Sequence, residues 1–211
     1  MKLTKFAHAC VTLEKEGAKI TLDPGTLTPG AKDAVHGSAA VLITHEHFDH
    51  FDDALLAEAL DADRELRVFG PRSVVEKLGD RDGRVQAVAA GDTVHIGAFS
   101  VSVHGDRHAP IHADVPCVDN VGYLVDGTVF HPGDAYLVPE APVDTLLLPT
   151  SGPWTTLGGA VEHVRAVQPR QVVQIHELML SELGQNATRT FLAGLTGIEE
   201  VVPAPGESIE L

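Results

Sequence analysis

The order of periodicities in this 211-residue chain predicts an α/β protein. Short segments that alternate polar and apolar residues, the period of a half-buried strand, crowd the N-terminal stretch. In the last third, apolar strand-like runs take turns with helical patterns, a βαβ rhythm that packs helices outside a sheet. Each half has strands followed by helices, and several strands end in loops that carry histidine or aspartate.

Taken in order, strand patterns cover residues 2–6, 9–14, 18–22 and 39–43. In FDDALLAEAL, Asp52 or Asp53 can cap a helix whose Leu55, Leu56, Ala59 and Leu60 form an apolar stripe. In PRSVVEKLG, Pro71 suits a first helical turn and Gly79 a C-terminal stop. RVQAVA, DTVHIG and FSVSVHG are strand signals with Gly and Asp between them. NVGYLVDGTVFHPGD reads as a hairpin turning at Asp126 and Gly127, a pair suited to a tight primed turn. The strand DTLLLP, a helix over 156–167, the strand QVVQIH, a helix over 181–195 and the strand IEEVV follow. The Gly- and Pro-bearing segments 26–39 and 150–159 are irregular and are expected to shape the mouth of a pocket, where Trp154 could stack on a substrate or simply pack.

Composition bounds the function classes. No Pro/Ser/Gly-rich stretch or charge run divides the chain, so one domain over 1–211 is expected. No apolar stretch approaches the about 20 residues that span a bilayer. The N-terminus alternates like a strand and lacks the apolar run of a signal peptide, so a soluble cytoplasmic protein is expected. Thirty acids against 15 bases give a net charge of −15, which argues against a nucleic-acid partner. Cys10 and Cys117 are too few for a disulfide framework; Cys10 reads as a buried small hydrophobe, whereas Cys117 lies close in sequence to candidate ligands.

The segment ITHEHFDH, residues 43–50, sets His45, His47, Asp49 and His50 just past an apolar run. Imidazole nitrogens and carboxylate oxygens are the donors that zinc and related divalent ions bind. Four such groups crowded together repel or compete for protons unless a cation organises them. Residues two apart at a strand end project to one side, so His45 and His47 can chelate one ion. A turn then carries Asp49 and His50 round to hold a second.

His-x-His-x-Asp-His resembles the signature of the metallo-β-lactamase fold, and FAHACVTLE, ITLDPG, HAPIH, VFHPGD and VQIHE resemble, in order, segments of its UlaG-like branch of small metal-dependent hydrolases. The resemblance implies a four-layer αββα sandwich with a site on the rim where strand-end loops meet. It also implies two divalent metal ions. His45, His47 and His108 would bind one, Asp49, His50 and His176 the other, and Asp134 would bridge them. For the third motif the loop HGDRHAPIH also offers His112 and His104. Zinc is favoured by the donor set, with manganese and iron also compatible.

His8 and Asp23 recur in that branch. Asp23, ending a strand, is placed to accept a proton from the far nitrogen of a ligand histidine; His8 and His131 are candidates for substrate contact or for the wall of the site. His36, His95 and His163 read as surface or structural. The reaction implied is hydrolysis of a small ester, lactone or phosphodiester by metal-bound hydroxide, with Asp49 or a metal-bound water shuttling a proton and His112 or His8 orienting the substrate or protonating the leaving group. No GxSxG nucleophile motif is present. A non-catalytic metal-binding module and an iron-dependent redox variant are the alternatives, and oligomeric state is not legible.

Overall fold

The computed structural model describes residues 1–105, 107–198 and 200–211. Its first sheet is built from β1 (Lys2–Lys5), β2 (Val11–Lys15), β3 (Ala18–Leu22), β4 (Ala40–Leu42), β5 (Arg67–Gly70), β6 (Val85–Ala87) and the C-terminal β14 (Ser208–Glu210). The second contains β7 (Thr93–Ile96), β8 (Phe99–His104), β9 (Gly122–Val125), β10 (Val129–His131), β11 (Thr145–Pro149), β12 (Gln171–Ile175) and β13 (Glu200–Val201). The orders are β14-β1-β2-β3-β4-β5-β6 and β13-β12-β11-β10-β9-β8-β7. Each sheet is antiparallel at one side and parallel at the other, the change falling at β3 and at β10.

Strand alternation explains how the sheets meet. Leu3, Leu13, Ile20, Leu42 and Phe69 of the first sheet form one core with Val101, Tyr123, Val129, Leu147 and Val173 of the second. On the outer face of the first sheet, α2 (Asp53–Ala62) and α3 (Arg72–Leu78) bury Leu56, Leu60, Val74 and Leu78 against Val41 and Val68. On the outer face of the second, α4 (Leu157–Val167) and α5 (Glu182–Thr196) bury Ala160, Val161, Val164 and Leu192 against Leu146, Leu148 and Val172. Burying one leucine in this way stabilises by about 1.5–3 kcal/mol. The result is the expected αββα sandwich.

Local signals match. Asp52, rather than Asp53, caps α2 by accepting from Leu55 N at 2.9 Å; Thr156 and Ser181 cap α4 and α5 in the same way. Asp126 and Gly127 turn the β9–β10 hairpin with φ of 54° and 63°, the sign a primed turn needs. Two elements depart from expectation: α1 (Ala31–Val35) interrupts the segment read as an irregular loop, and β14 adds an edge strand beside β1. The predicted final strand IEEVV is described from Glu200, its Glu199 lying outside the described residues. No helix among the described residues is long and apolar enough to cross a membrane.

Candidate metal centre

The histidine-rich loop leaves β4 at the carboxyl ends of parallel strands, where open α/β sheets form their crevices. Asp23, in a left-handed conformation just past β3, pins that loop. Its carboxylate accepts from Thr44 N at 2.8 Å, from Thr44 Oγ1 at 2.6 Å and from His50 Nδ1 at 2.7 Å. Gly25 lets the ligand loop lie directly on the segment that follows β3: a Cβ there would sit 2.0 Å from the Asp49 carbonyl and 2.5 Å from His50 N.

These contacts fix tautomers. Thr44 Oγ1 spends its proton on Asp23, so it accepts from His45 Nδ1 at 3.0 Å. His50 Nδ1 donates to Asp23, and His108 Nδ1 donates to the Ala109 carbonyl at 2.6 Å. The Nε2 lone pairs of all three rings are thereby left facing inward. His45 Nε2 lies 3.1 Å from His47 Nδ1, and the ligand atoms of His45, His47 and His108 are all within 4.8 Å of one another. Those of His8, Asp49, His50 and His176 form a second such group. Asp134, following β10, stands between the groups: Oδ2 is 3.4 Å from His108 Nε2 and 3.2 Å from His176 Nε2, and Oδ1 is 3.1 Å from His50 Nε2.

Those approaches are short but misdirected. His50 Nε2, His108 Nε2, His176 Nε2 and Asp134 Oδ1 are buried without a properly aligned hydrogen-bond partner. Atoms that converge on a common point rather than on each other are what a cation-binding donor set requires, and orphaned polar atoms are otherwise costly.

A surrounding layer holds the donors. Asn120 accepts from Asp134 N at 2.9 Å, and Gly133 (φ 65°) makes the close turn, since a Cβ there would lie 2.2 Å from Asn120 Oδ1 and 2.7 Å from Thr44 Cβ. Trp154 Nε1 donates to Asp134 Oδ2 at 2.8 Å. His8 and His176 both have positive φ, their ring centroids lie 3.8 Å apart at a 46° tilt, and His8 Nε2 donates to Asp49 Oδ2 at 3.0 Å. His131 donates from Nε2 to the Ala9 carbonyl and accepts from Gly133 N, so it braces the wall from behind. Across the sheets, His176 N donates to the His8 carbonyl, and Lys5 Nζ forms a buried ion pair with Glu177 Oε1 at 2.7 Å.

The electrostatics follow from crowding. Burial lowers the pKa of His45, reinforced by His50, and burial lowers His47 and His8 as well. Burial acts the same way on His50 and His176 but is outweighed by the adjacent carboxylates: His50 is raised well above 6.5 by Asp134 and Asp23, and His176 to about 9 by Asp134 and Asp49. Burial would raise Asp49 and Asp134, yet the surrounding imidazoles hold both below the ordinary carboxylate range. The carboxylates of Asp23, Asp49 and Asp134 thus favour positive charge at His50 and His176.

The structure thus brings together His45, His47, Asp49, His50, His108, Asp134 and His176, with Asp23, His8 and His131 around them. His112 is a correction. Its ring is two-thirds exposed, accepts from Asp114 N and belongs to none of the donor groups, because the chain turns outward after His108 N pairs with Val118 O. His104 faces Ser102 at the end of β8, and Cys117 is exposed, its thiol on the His108 carbonyl. Segment 26–39 does not line the cavity in front of the cluster, whereas Pro153 and Trp154 do. The Lys5–Glu177 pair escaped the sequence reading, although Lys5 shares a strand face with Leu3, a position for an apolar residue.

Comparison with known proteins adds a family and a fold. A family model described as a β-lactamase superfamily domain matches residues 2–176. Protein Rv0786c of Mycobacterium tuberculosis is 34% identical over 186 residues, 86% of each chain. A UPF0173 metal-dependent hydrolase of Chelativorans sp. is 28% identical with all of both chains covered. Igni18, a metallo hydrolase from Ignicoccus hospitalis, superposes with a TM-score of 0.77 at 22% identity, covering 100% of this chain and 98% of its own. CmlA, a diiron β-hydroxylase from Streptomyces venezuelae, superposes with a TM-score of 0.76 at 16% identity over 100% of this chain and 54% of its own, so the fold alone does not select a metal.

Proposed function

Because the chain belongs to the β-lactamase superfamily, we propose that it is a metal-dependent hydrolase of a small-molecule substrate, working with two divalent ions for which zinc is the favoured identity. The observation that carries the proposal is the aim of the rings: His45, His50 and His108 each spend Nδ1 on a neighbouring oxygen, which turns Nε2 toward the cluster, and Nε2 of His50 and of His108 is buried there without an aligned hydrogen-bond partner. His45, His47 and His108 would hold one ion, Asp49, His50 and His176 the other, with Asp134 between them. When bound, such a pair of cations lowers the pKa of water toward neutrality and polarises a substrate oxygen.

The chain's own groups do the rest. Asp23 keeps the His50 ring in one orientation, and His8 holds the Asp49 carboxylate through a hydrogen bond at 3.0 Å. Asp49, which lines the cavity, is the candidate for carrying a proton from water toward the leaving group. Trp154 closes one side of the cluster and keeps Asp134 Oδ2 from swinging away. Elemental analysis together with turnover of esters, lactones and phosphodiesters tests the proposal. About two ions per chain and activity lost in His45→Ala and Asp134→Ala are expected, and intact metal binding without turnover of any substrate would refute it.

A further inference from the structure

The cavity in front of the cluster has a volume of about 500 Å3, enough for a drug-sized molecule. Its floor is His47, Asp49, His108, Asp134 and His176, and its walls and mouth are mostly apolar: Phe48, Phe51, Ile111, Pro153, Trp154 and Met179. Phe48 and Met179, 63% and 62% exposed, put apolar surface within reach of whatever enters the cavity. Phe48 has no way inward, because Thr26 N holds its carbonyl at 2.8 Å and its neighbours on both sides face the cluster.

The charges are as telling. Lys77 is the only Lys or Arg among the described lining residues, and it is already engaged: its Nζ is 3.0 Å from Glu46 Oε2 and donates to the Glu46 carbonyl. Glu46 and Asp53 bring negative charge to the same wall. Sites that select phosphate or carboxylate groups present free guanidinium or ammonium groups to them. This cavity presents none beyond what bound ions would supply.

Resting on the hydrolase reading, we propose that the substrate is a neutral carboxylic ester, open or cyclic, carrying an apolar alkyl or aryl group that lies against Phe48, Trp154 and Met179. Water adds to the carbonyl carbon and the C–O single bond breaks. The products are a carboxylate and a hydroxyl group, joined in one molecule for a lactone, with one proton released and no change of oxidation state.

The test is kcat/KM of the metal-loaded protein on 4-nitrophenyl acetate, 4-nitrophenyl octanoate, γ-butyrolactone, γ-decalactone, the anionic 4-nitrophenyl hydrogen succinate and bis(4-nitrophenyl) phosphate. The long-chain member of each neutral pair is expected to exceed the short one by about tenfold or more, and the succinate and phosphate to trail. In Phe48→Ser/Met179→Ser the octanoate-to-acetate ratio should collapse toward one. In Glu46→Gln, which leaves the Lys77 charge without its carboxylate partner, turnover of the succinate should rise several-fold relative to acetate. Trp154, the sole tryptophan, supplies a binding readout: its fluorescence should respond to 2-decanone at far lower concentration than to 2-butanone. Faster turnover of the phosphate or succinate than of the octanoate, or indifference to chain length, overturns this inference and leaves the hydrolase reading standing. No turnover of any member overturns both.

Discussion

Asp23 Oδ2 lies 2.7 Å from His50 Nδ1, and both side chains are fully buried. The carboxylate reaches the ring from the end of β3, and the opposite ring nitrogen faces the cluster, 3.1 Å from Asp134 Oδ1. A residue that touches neither substrate nor cation thus dictates how one donor of the cluster is aimed.

Asp23→Asn should weaken binding of the ion held by His50 by about 10–100-fold, the range seen when such supporting partners are removed. Competition with a chelator measures it. Unchanged affinity would mean the ring is held by packing alone.

Two glycines make opposite claims. In Gly25→Ala the new Cβ meets backbone at 2.0 Å, so the ligand loop must lift from the segment that follows β3, and metal affinity and thermal stability should both fall. Gly194→Ala, inside α5 with nothing within 4 Å, should stabilise by about 0.5–1 kcal/mol through helix propensity. Thermal denaturation of both variants checks the pair, and an unperturbed Gly25→Ala would contradict the close approach.

The Lys5–Glu177 pair is buried on both sides. Lys5→Met leaves an unpaired carboxylate and should cost about 3–5 kcal/mol, whereas Lys5→Met/Glu177→Leu should recover much of that loss. Urea unfolding of chelator-treated protein compares them. A single-variant loss below about 1 kcal/mol would show that solvent reaches the pair.

His163, on the buried face of α4 with Nε2 on the Leu137 carbonyl, is pushed down from 6.5 to about 4 by desolvation, against the raising effect of that hydrogen bond. Between these values the unfolded chain takes up a proton that the fold refuses. Stability is therefore lost as pH falls from 6.5 toward 4, by at most roughly 3 kcal/mol, and is unaffected by this residue above 6.5. His163→Gln should flatten that part of the stability profile relative to the parent, and identical slopes would exclude the assignment.

Much of this was legible in the sequence, and the gaps have physical causes. The ligand loop was readable because His45, His47, Asp49 and His50 are too dense for an ordinary turn. His108 and His112 share one short loop, and only tertiary pairing, His108 N to Val118 O and Ala109 N to Asp134 O, decides which ring turns inward. The strand β14 pairs Ser208 with Thr4 across 204 positions, and α1 spans five residues, too few to display a helical period. Trp154 looked like any loop aromatic until its N–H was found on Asp134.

The most direct measurement is the metal content of protein loaded with zinc and dialysed, for the parent and for His47→Ala, His176→Ala and Asp134→Ala. Two ions per chain in the parent are expected, with about one retained in each histidine variant and both weakened in Asp134→Ala. Uptake should release protons, since the adjacent carboxylates favour the protonated forms of His50 and His176 and an ion binds only the deprotonated nitrogen. Fewer than one ion per chain in the parent, or contents indifferent to all three substitutions, would contradict a two-ion centre at this rim.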